Sequence, residues 1–380
     1  MGKSLLALAT LVGTIIGVGL FGLPYVAAKI GFGPILFYFI GLGAMMVLLH
    51  LMYGEVASRT PELHRLPGYC KIYLNRPIAK LNLLTSSLGL IGALLAYILV
   101  GSEFLTQLLQ PIFGGSYLLY AFIFFGFGAT IIFFGSGPVS KTEVIGLSIF
   151  FVLLVALFFK ALPQITYENF LTVDLRHAIL PYGVILFSLS GLSVIPEMRE
   201  VLGSANEKKF RSLVILGSSL PILIYLFFII TVLGVTGQKT TQEGLIGLHA
   251  ALGNGVVTIG FIFGILTTIT SFLTLGITLK KQFQFDLGLA KSMAWVLAVV
   301  PPFGLYLLGV QDFIHLIGFL GAALMAIDII LIMAVFLKAK KIGRRIPAYA
   351  INIPPVAVFL VMLLFLAGIC VEIFSLTQTA

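Results

Sequence analysis

The chain has 380 residues, 59% of them hydrophobic and only 10% charged, with a formal net charge of +9. So little charge excludes a soluble globular domain of this length, and apolar runs long enough to cross a bilayer recur from end to end. The positive balance does not mark a nucleic-acid partner, because the basic residues fall in short clusters between apolar runs, where they report membrane orientation.

In chain order the apolar runs predict eleven spans, at 4–29, 34–57, 81–109, 117–135, 142–160, 178–199, 211–235, 253–279, 291–309, 313–336 and 350–374. The first stays apolar through Val26 with no polar break at a small-residue cleavage site, so it reads as a retained span and not a secretory signal. Hydrophobic character barely drops at the junctions 136–141 and 309–312. With the N-terminus in the cytoplasm, nineteen Lys and Arg residues fall inside and four outside (Lys29, Lys160, Arg176 and Lys239), which also places the C-terminus outside. Cys70 and Cys370 then lie toward opposite sides of the membrane, which argues against an intrachain disulfide.

The spacing contains a repeat. Spans six to ten begin 171 to 177 residues after spans one to five, although the gaps between neighbouring spans are uneven, and each half has its longest span third. Five crossings is an odd number, so the second half enters the membrane in the opposite sense. That is the arithmetic of an inverted-topology repeat, an architecture of secondary transporters. The expected fold is an all-α polytopic membrane protein with residues 1–175 as the first repeat, 176–341 as the second, and 342–380 holding the eleventh span and C-terminus.

The first span of each half is weakened in its middle. Span one carries GTIIGVG at 13–19, followed by Pro24; span six carries FSLSGLS at 187–193, between Pro181 and Pro196. Glycine weakens a helix entropically, serine offers the backbone a competing partner, and proline removes a donor. Subtracting 174 from Ser190 lands on Ile16, at the centre of the first break. Taken alone, Gly13 and Gly17 have the small-xxx-small spacing of a helix-packing face; the matching break favours a binding site, and packing on one face is compatible with it. Unwound backbone at mid-membrane survives only inside protein or beside a watery cavity. There, amides of Gly17, Val18 and Gly19 suit a carboxylate, while carbonyls near Thr14, Ile15, Phe187 and Ser188 suit an ammonium group. The pair of breaks is complementary to an amino-acid zwitterion.

Thr267, Thr270, Ser271 and Thr274 share one helix face in span eight. With carbonyls near Gly13 and Ile16, the first three are a candidate Na+ site; hydrogen bonding back to their own helix is the alternative. The acids in or near spans are Glu55, Glu103, Glu197, Asp328 and Glu372. Because intramembrane charge is costly, Glu103 and Asp328 are candidate proton sites, while Glu55 and Glu197 suit inner-gate contacts with loop Arg or Lys, and Glu372 a terminal interface. His50 and His315, each isolated within a span, suit buried neutral hydrogen-bonding roles. The sequence has no HExxH, CxxC or GxSxG pattern from which to build a metal or hydrolase site.

GTIIGVGLFGLPY at 13–25, SLSG followed by IPE at 195–197, and TSFLTLG at 270–276 resemble motifs of the bacterial hydroxy/aromatic amino acid permeases and the related amino acid/auxin permeases, within the amino acid-polyamine-organocation transporter superfamily. The resemblance covers essentially the whole chain. It implies a leucine-transporter-like fold with discontinuous helices one and six, and a substrate site at Thr14, Ile15, Ile16, Gly17, Val18 and Gly19 together with Phe187, Ser188, Ser190 and Gly191. Thr270 and Ser271 match the position that binds sodium in sodium-coupled relatives. The family uses H+ or Na+, so the coupling ion stays open, with no other cofactor implied. The expectation is a monomeric importer of a neutral, hydrophobic or aromatic L-amino acid working by symport, with a pocket lined by Leu20, Ile98, Phe187 and Phe261. An amino acid sensor without transport, or a transporter of another small substrate such as a divalent metal, are the alternatives; no enzyme activity is expected.

Overall fold

The computed structural model describes residues 2–135, 139–253 and 255–379. Helices α1 (Lys3–Ile15) and α2 (Gly19–Ile30) form one membrane-length pair bent by 48°. The α-helical ladder stops where Gly17 N turns back on Ile15 O at 2.8 Å, and it restarts with the tighter bonds Leu20 N to Gly17 O and Phe21 N to Val18 O. Helix α3 (Phe32–Arg59) leads through the short α4 (Leu66–Tyr73) to α5 (Arg76–Phe113), whose first turn is capped by Asn75 accepting from Ile78 N at 2.9 Å. At 38 residues, α5 is about 57 Å long, well beyond a hydrocarbon core of about 30 Å, so it is tilted or projects from the bilayer. Helices α6 (Tyr117–Phe134) and α7 (Val139–Ala161) follow.

A connector of short 3-10 turns leads into α8 (Leu180–Ser188), a single 3-10 turn at Leu192–Val194, and α9 (Ile195–Leu202). Then come α10 (Phe210–Thr236), the short α11 (Leu245–Leu252), α12 (Val256–Asp286), α13 (Lys291–Leu307) and α14 (Phe313–Phe319). A π-helical turn, Leu320–Met325, joins α14 to α15 (Ala326–Ile342), and α16 (Pro355–Thr379) ends the chain.

Among the described residues nine helical runs are long and apolar enough to cross a bilayer, and the bent α1–α2 pair makes a tenth. The apolar α13 has 17 residues, shorter than the usual span. Residues 350–354 of the expected last span are not helical, because two prolines delay α16 until Pro355. The expected junction at 136–141 lies partly outside the described residues.

The two longest helices, α5 and α12, pack along each other; α1 and α2 lie against α10, and α8 crosses the π turn. That crossing is close enough to require glycine. A Cβ on Gly183 would overlap the backbone of Gly318, and one on Gly321 would overlap the backbone of Gly183. Buried Lys280 donates to Ile132 O (2.6 Å) and Phe133 O (2.9 Å), which places a cation on the C-terminal carbonyls of α6.

Candidate functional site

The two interrupted segments meet at the centre of the bundle. A Cβ on Gly19 would stand 2.8 Å from Ser188 Cα, so only glycine lets the first break sit directly on the second. Tyr225 of α10 ties them together: its Oη hydrogen-bonds Ile15 O and lies 2.8 Å from Ser188 O. Its single proton serves one carbonyl at a time, in a position fully shielded from solvent. His50 holds the second break from behind. Gly191 N–H donates to His50 Nε2 (3.1 Å), so Nδ1 carries the ring proton and donates to Ser218 Oγ (2.9 Å), making His50 a neutral structural imidazole. Replacement by leucine, His50→Leu, leaves the Gly191 amide buried without an acceptor and is expected to destabilise the break by about 1–3 kcal/mol. A lower melting temperature in detergent and a raised transport KM are the readouts.

In front of the breaks lies a cavity. Thr14, Ile15, Gly17, Gly19, Phe187, Ser188 and Ser190 reach its wall. Tyr97 of α5, Leu90, Ala93, Leu324 and Met325 add an apolar flank, the last two from the π turn. Thr14 and Ser188 donate their hydroxyls to their own helices, to Thr10 O (2.8 Å) and Val184 O (2.7 Å). Each of these hydroxyls keeps acceptor lone pairs, so the polar groups at the breaks are the backbone, these two oxygens and Ser190. Ile16, Val18 and Gly191 are buried behind the wall and contribute shape, not surface.

The cavity runs from the breaks to Arg65, Leu66 and Pro67 at the start of α4. There Arg65 reaches Glu197 Oε1 at 3.2 Å and Thr278 O at 3.2 Å. Beyond the first break, in and around α2, the core holds an aromatic cluster that does not line the cavity. Phe21 packs edge-on to Phe104 (4.8 Å) and Phe228 (6.1 Å), and Phe104 lies 5.7 Å from Phe261.

Of the four expected pocket residues only Phe187 lines this cavity. Ile98 is fully buried, and its neighbour Tyr97 takes the wall; Leu20 lines a separate apolar void, and Phe261 belongs to the aromatic cluster. The Tyr97 hydroxyl faces Ser271 and the Val18 amide, beside a second, narrow gap between Gly13, Thr14, Tyr97, Ser271, Thr274 and Leu275. Thr267 and Thr270 do not reach this gap: they donate to Phe263 O or Gly264 O and to Thr267 O. Ile16 is buried away from it.

The acids separate by location. Glu55 is fully buried, paired with Arg59 (2.7 Å), and accepts from Ile351 N (2.7 Å), which anchors the segment before α16. Glu103 lies near the aromatic cluster, accepts from Gln107 Nε2 (2.9 Å), and sits in the field of Glu243, a loop carboxyl that burial pushes above its ordinary range. Asp328 is the one carboxylate in the cavity wall among the described residues, and Arg65 the one cation. His315 is not within a span interior: it lies in the first turn of α14, exposed, with Nδ1 2.7 Å from Asp312 Oδ2, because Asp312 caps that helix.

A central cavity between two interrupted, mutually packed apolar helices is the arrangement characteristic of secondary transporters. Solved structures share the fold: MhsT in complex with L-phenylalanine (TM-score 0.71, 13% identity, 98% of each chain covered) and MHP1, a nucleobase-cation-symport-1 family transporter (TM-score 0.69, 13% identity, 88% of this chain and 77% of that one). The architecture is thus an all-α polytopic membrane protein of the leucine-transporter-like, inverted-repeat type. The sequence matches the tryptophan/tyrosine permease family over residues 1–375; the chain belongs to that family and is a secondary transporter of neutral or aromatic amino acids, not an enzyme. Curated relatives include tyrosine-specific transport system 1 of Haemophilus influenzae, 25% identical over 373 residues (91% of both chains). Glutamine transporter 2 of Aliivibrio fischeri is 26% identical over 346 residues (87% of this chain, 88% of the relative). Tyrosine-specific transport system 2 of H. influenzae is 28% identical over 236 residues (60% and 57%).

Proposed function

We propose that the protein imports a bulky neutral L-amino acid, aromatic in the first instance, together with H+ or Na+, and that the structure represents its inward-open state. The observation that carries this reading is the cavity in front of the two breaks, with Gly17, Gly19, Phe187 and Ser190 in its wall. The start of α2 offers amides and a positive helix end to the substrate carboxylate, while the end of α8 offers carbonyls to its ammonium. The apolar flank of Leu90, Ala93, Leu324 and Met325, with Tyr97 and Phe187, suits a large side chain. Two relatives carry tyrosine in their names and one carries glutamine, so the side chain is the property most in need of measurement.

In this reading the chain crosses the membrane eleven times. The α1–α2 pair and the Leu180–Leu202 segment are the discontinuous first and sixth spans, α13 is the short ninth, and α16 is added to two five-span halves. The charge asymmetry puts the N-terminus and the α3–α4 connector in the cytoplasm. The cavity mouth at Arg65 then faces inward, and the Phe21–Phe104–Phe261 cluster faces outward.

The test is counterflow in proteoliposomes with labelled tyrosine, tryptophan, phenylalanine and glutamine, followed by uptake under separate Na+ and H+ gradients. Internal unlabelled tyrosine is expected to drive uptake of labelled tyrosine. Folded protein that exchanges none of the four contradicts the assignment, and exchange of glutamine alone moves it to polar neutral substrates.

A further inference from the structure

The cavity wall contains an arrangement that binding of a zwitterion at the breaks does not use. Asp328, one turn beyond the π turn, accepts from Asn82 Nδ2 at 2.6 Å, with Thr85 Oγ1 3.5 Å away. Asn82 is fully buried, and its side-chain Oδ1 has no hydrogen-bond partner. An orphaned buried acceptor costs about 1–3 kcal/mol. Asp328, already in contact with Asn82, supplies the missing donor when it carries a proton: acid and amide can then pair reciprocally, N–H to C=O and O–H to O=C. Exchanging the amide's O and N puts Oδ1 against Asp328, and that contact also requires a proton on the carboxyl.

Only the neutral donors Asn82 and Thr85 favour the charged form of Asp328, and no cation adds to them. Among the described residues no Lys, Arg or His lies within ion-pair distance of it. Tyr53 of α3 and Cys70 of α4 are the titratable groups that reach its field from those helices, and Arg65 faces the same cavity nearer its mouth. From α5 come the neutral Asn82 and Thr85, and the π turn is wholly apolar. On α16, Glu372 has His315 as its electrostatic neighbour, and Cys370 is exposed. The other candidate carboxylates do not line the cavity and are committed elsewhere: Glu55 to Arg59 and Ile351 N, Glu197 to Arg65, and Glu103 to Gln107.

We propose that Asp328, held by Asn82 and Thr85 in the wall of the substrate cavity, takes up the coupling proton on the outer side and releases it into the cytoplasm-facing cavity. This rests on the transport reading above and chooses H+ over Na+ within it. Protonated and paired with Asn82, the carboxyl is neutral while the cavity is shut from water. Once the cavity opens at Arg65, water can solvate the ionised form and the proton leaves along the polar wall of Ser86 and Gln282, which are themselves hydrogen-bonded at 2.9 Å.

Asp328→Asn separates coupling from exchange. In proteoliposomes the wild type is expected to accumulate labelled tyrosine under an inward acid gradient, with substrate-dependent acidification of the lumen. Asp328→Asn is expected to exchange substrate but to lose both accumulation and acidification, and Asp328→Glu to recover acidification. A variant that still accumulates and acidifies like the wild type overturns the proposal, as does a wild type driven by Na+ without proton entry. Should Asp328→Asn fail to fold, dicyclohexylcarbodiimide, which modifies protonated carboxyls in apolar sites, provides a readout on the wild type. Acid-favoured, substrate-sensitive modification of the Asp328 peptide supports the assignment, and its absence refutes it. Wild-type protein that exchanges no amino acid is the distinct failure of the transport reading, visible before any variant is made.

Discussion

Gly19→Val is expected to abolish uptake, with a loss of more than about 100-fold in kcat/KM, in protein that still inserts and purifies. Even the Cβ of alanine would lie 2.8 Å from Ser188 Cα and 2.9 Å from Ser188 Cβ, and the first of these is backbone that cannot rotate away. Two opposing terms act at this position. Alanine gains up to about 1 kcal/mol over glycine in helix propensity, whereas overpacking costs about 1–3 kcal/mol and more for a β-branched side chain. Because Gly19 begins α2, the strain is relieved by moving the second half of the broken helix away from Ser188, which displaces the amides proposed to hold the carboxylate. Gly19→Ala should therefore be intermediate. Gly41→Ala on α3, where an added Cβ meets nothing within 4 Å, should transport like the wild type. Equal uptake by Gly19→Val and Gly41→Ala would refute the close approach of the two breaks as a functional requirement.

Spans are legible in sequence because hydrocarbon demands long apolar runs, and the interruptions are legible because only Gly, Ser and Pro make them tolerable at mid-membrane. The runs at 81–109 and 253–279, the longest of those read from the sequence in each set of five, coincide with α5 and α12, with 38 and 31 residues. What sequence does not show is which distant side chain completes each break. Tyr225 is 210 residues from Ile15 and 37 from Ser188, and it stands in an apolar run with no local signature. Tyr97 and Ile98 are equally plausible on a helical wheel of unknown rotation; one residue is about 100° of turn, enough to exchange cavity for core. The hydroxyls at 267 and 270 share a face with Ser271, and the sequence does not show that they donate to carbonyls one turn back on their own helix. Position along the spans separates Glu103 and Asp328 from Glu55 and Glu197 in the sequence, but their partners come only from the structure: an arginine for Glu55, an arginine for Glu197, a glutamine for Glu103 and an amide facing the cavity for Asp328.

Tyr225→Phe isolates the tie between the breaks from the packing around it. The substitution retains the ring, its edge contact with Phe39 at 6.5 Å, and its complete burial, so the bundle has no reason to rearrange. Only the hydroxyl between Ile15 O and Ser188 O is lost. Ile15 O still accepts from Gly17 N at 2.8 Å, so Ser188 O is the acceptor more exposed to that loss. A buried carbonyl without a donor costs about 1–3 kcal/mol, which corresponds to roughly 5- to 150-fold in an equilibrium constant. Because Tyr225 holds carbonyls on the wall proposed to receive the ammonium, the deficit should appear as a raised KM for substrate exchange with similar amounts of folded protein. Scanning neutral amino acids of different side chains should give a similar fold-loss for each, since the tie acts on the part all amino acids share. A loss confined to aromatic substrates would instead place Tyr225's influence on the side-chain flank, and wild-type KM values throughout would show that the two breaks keep their relative position without it.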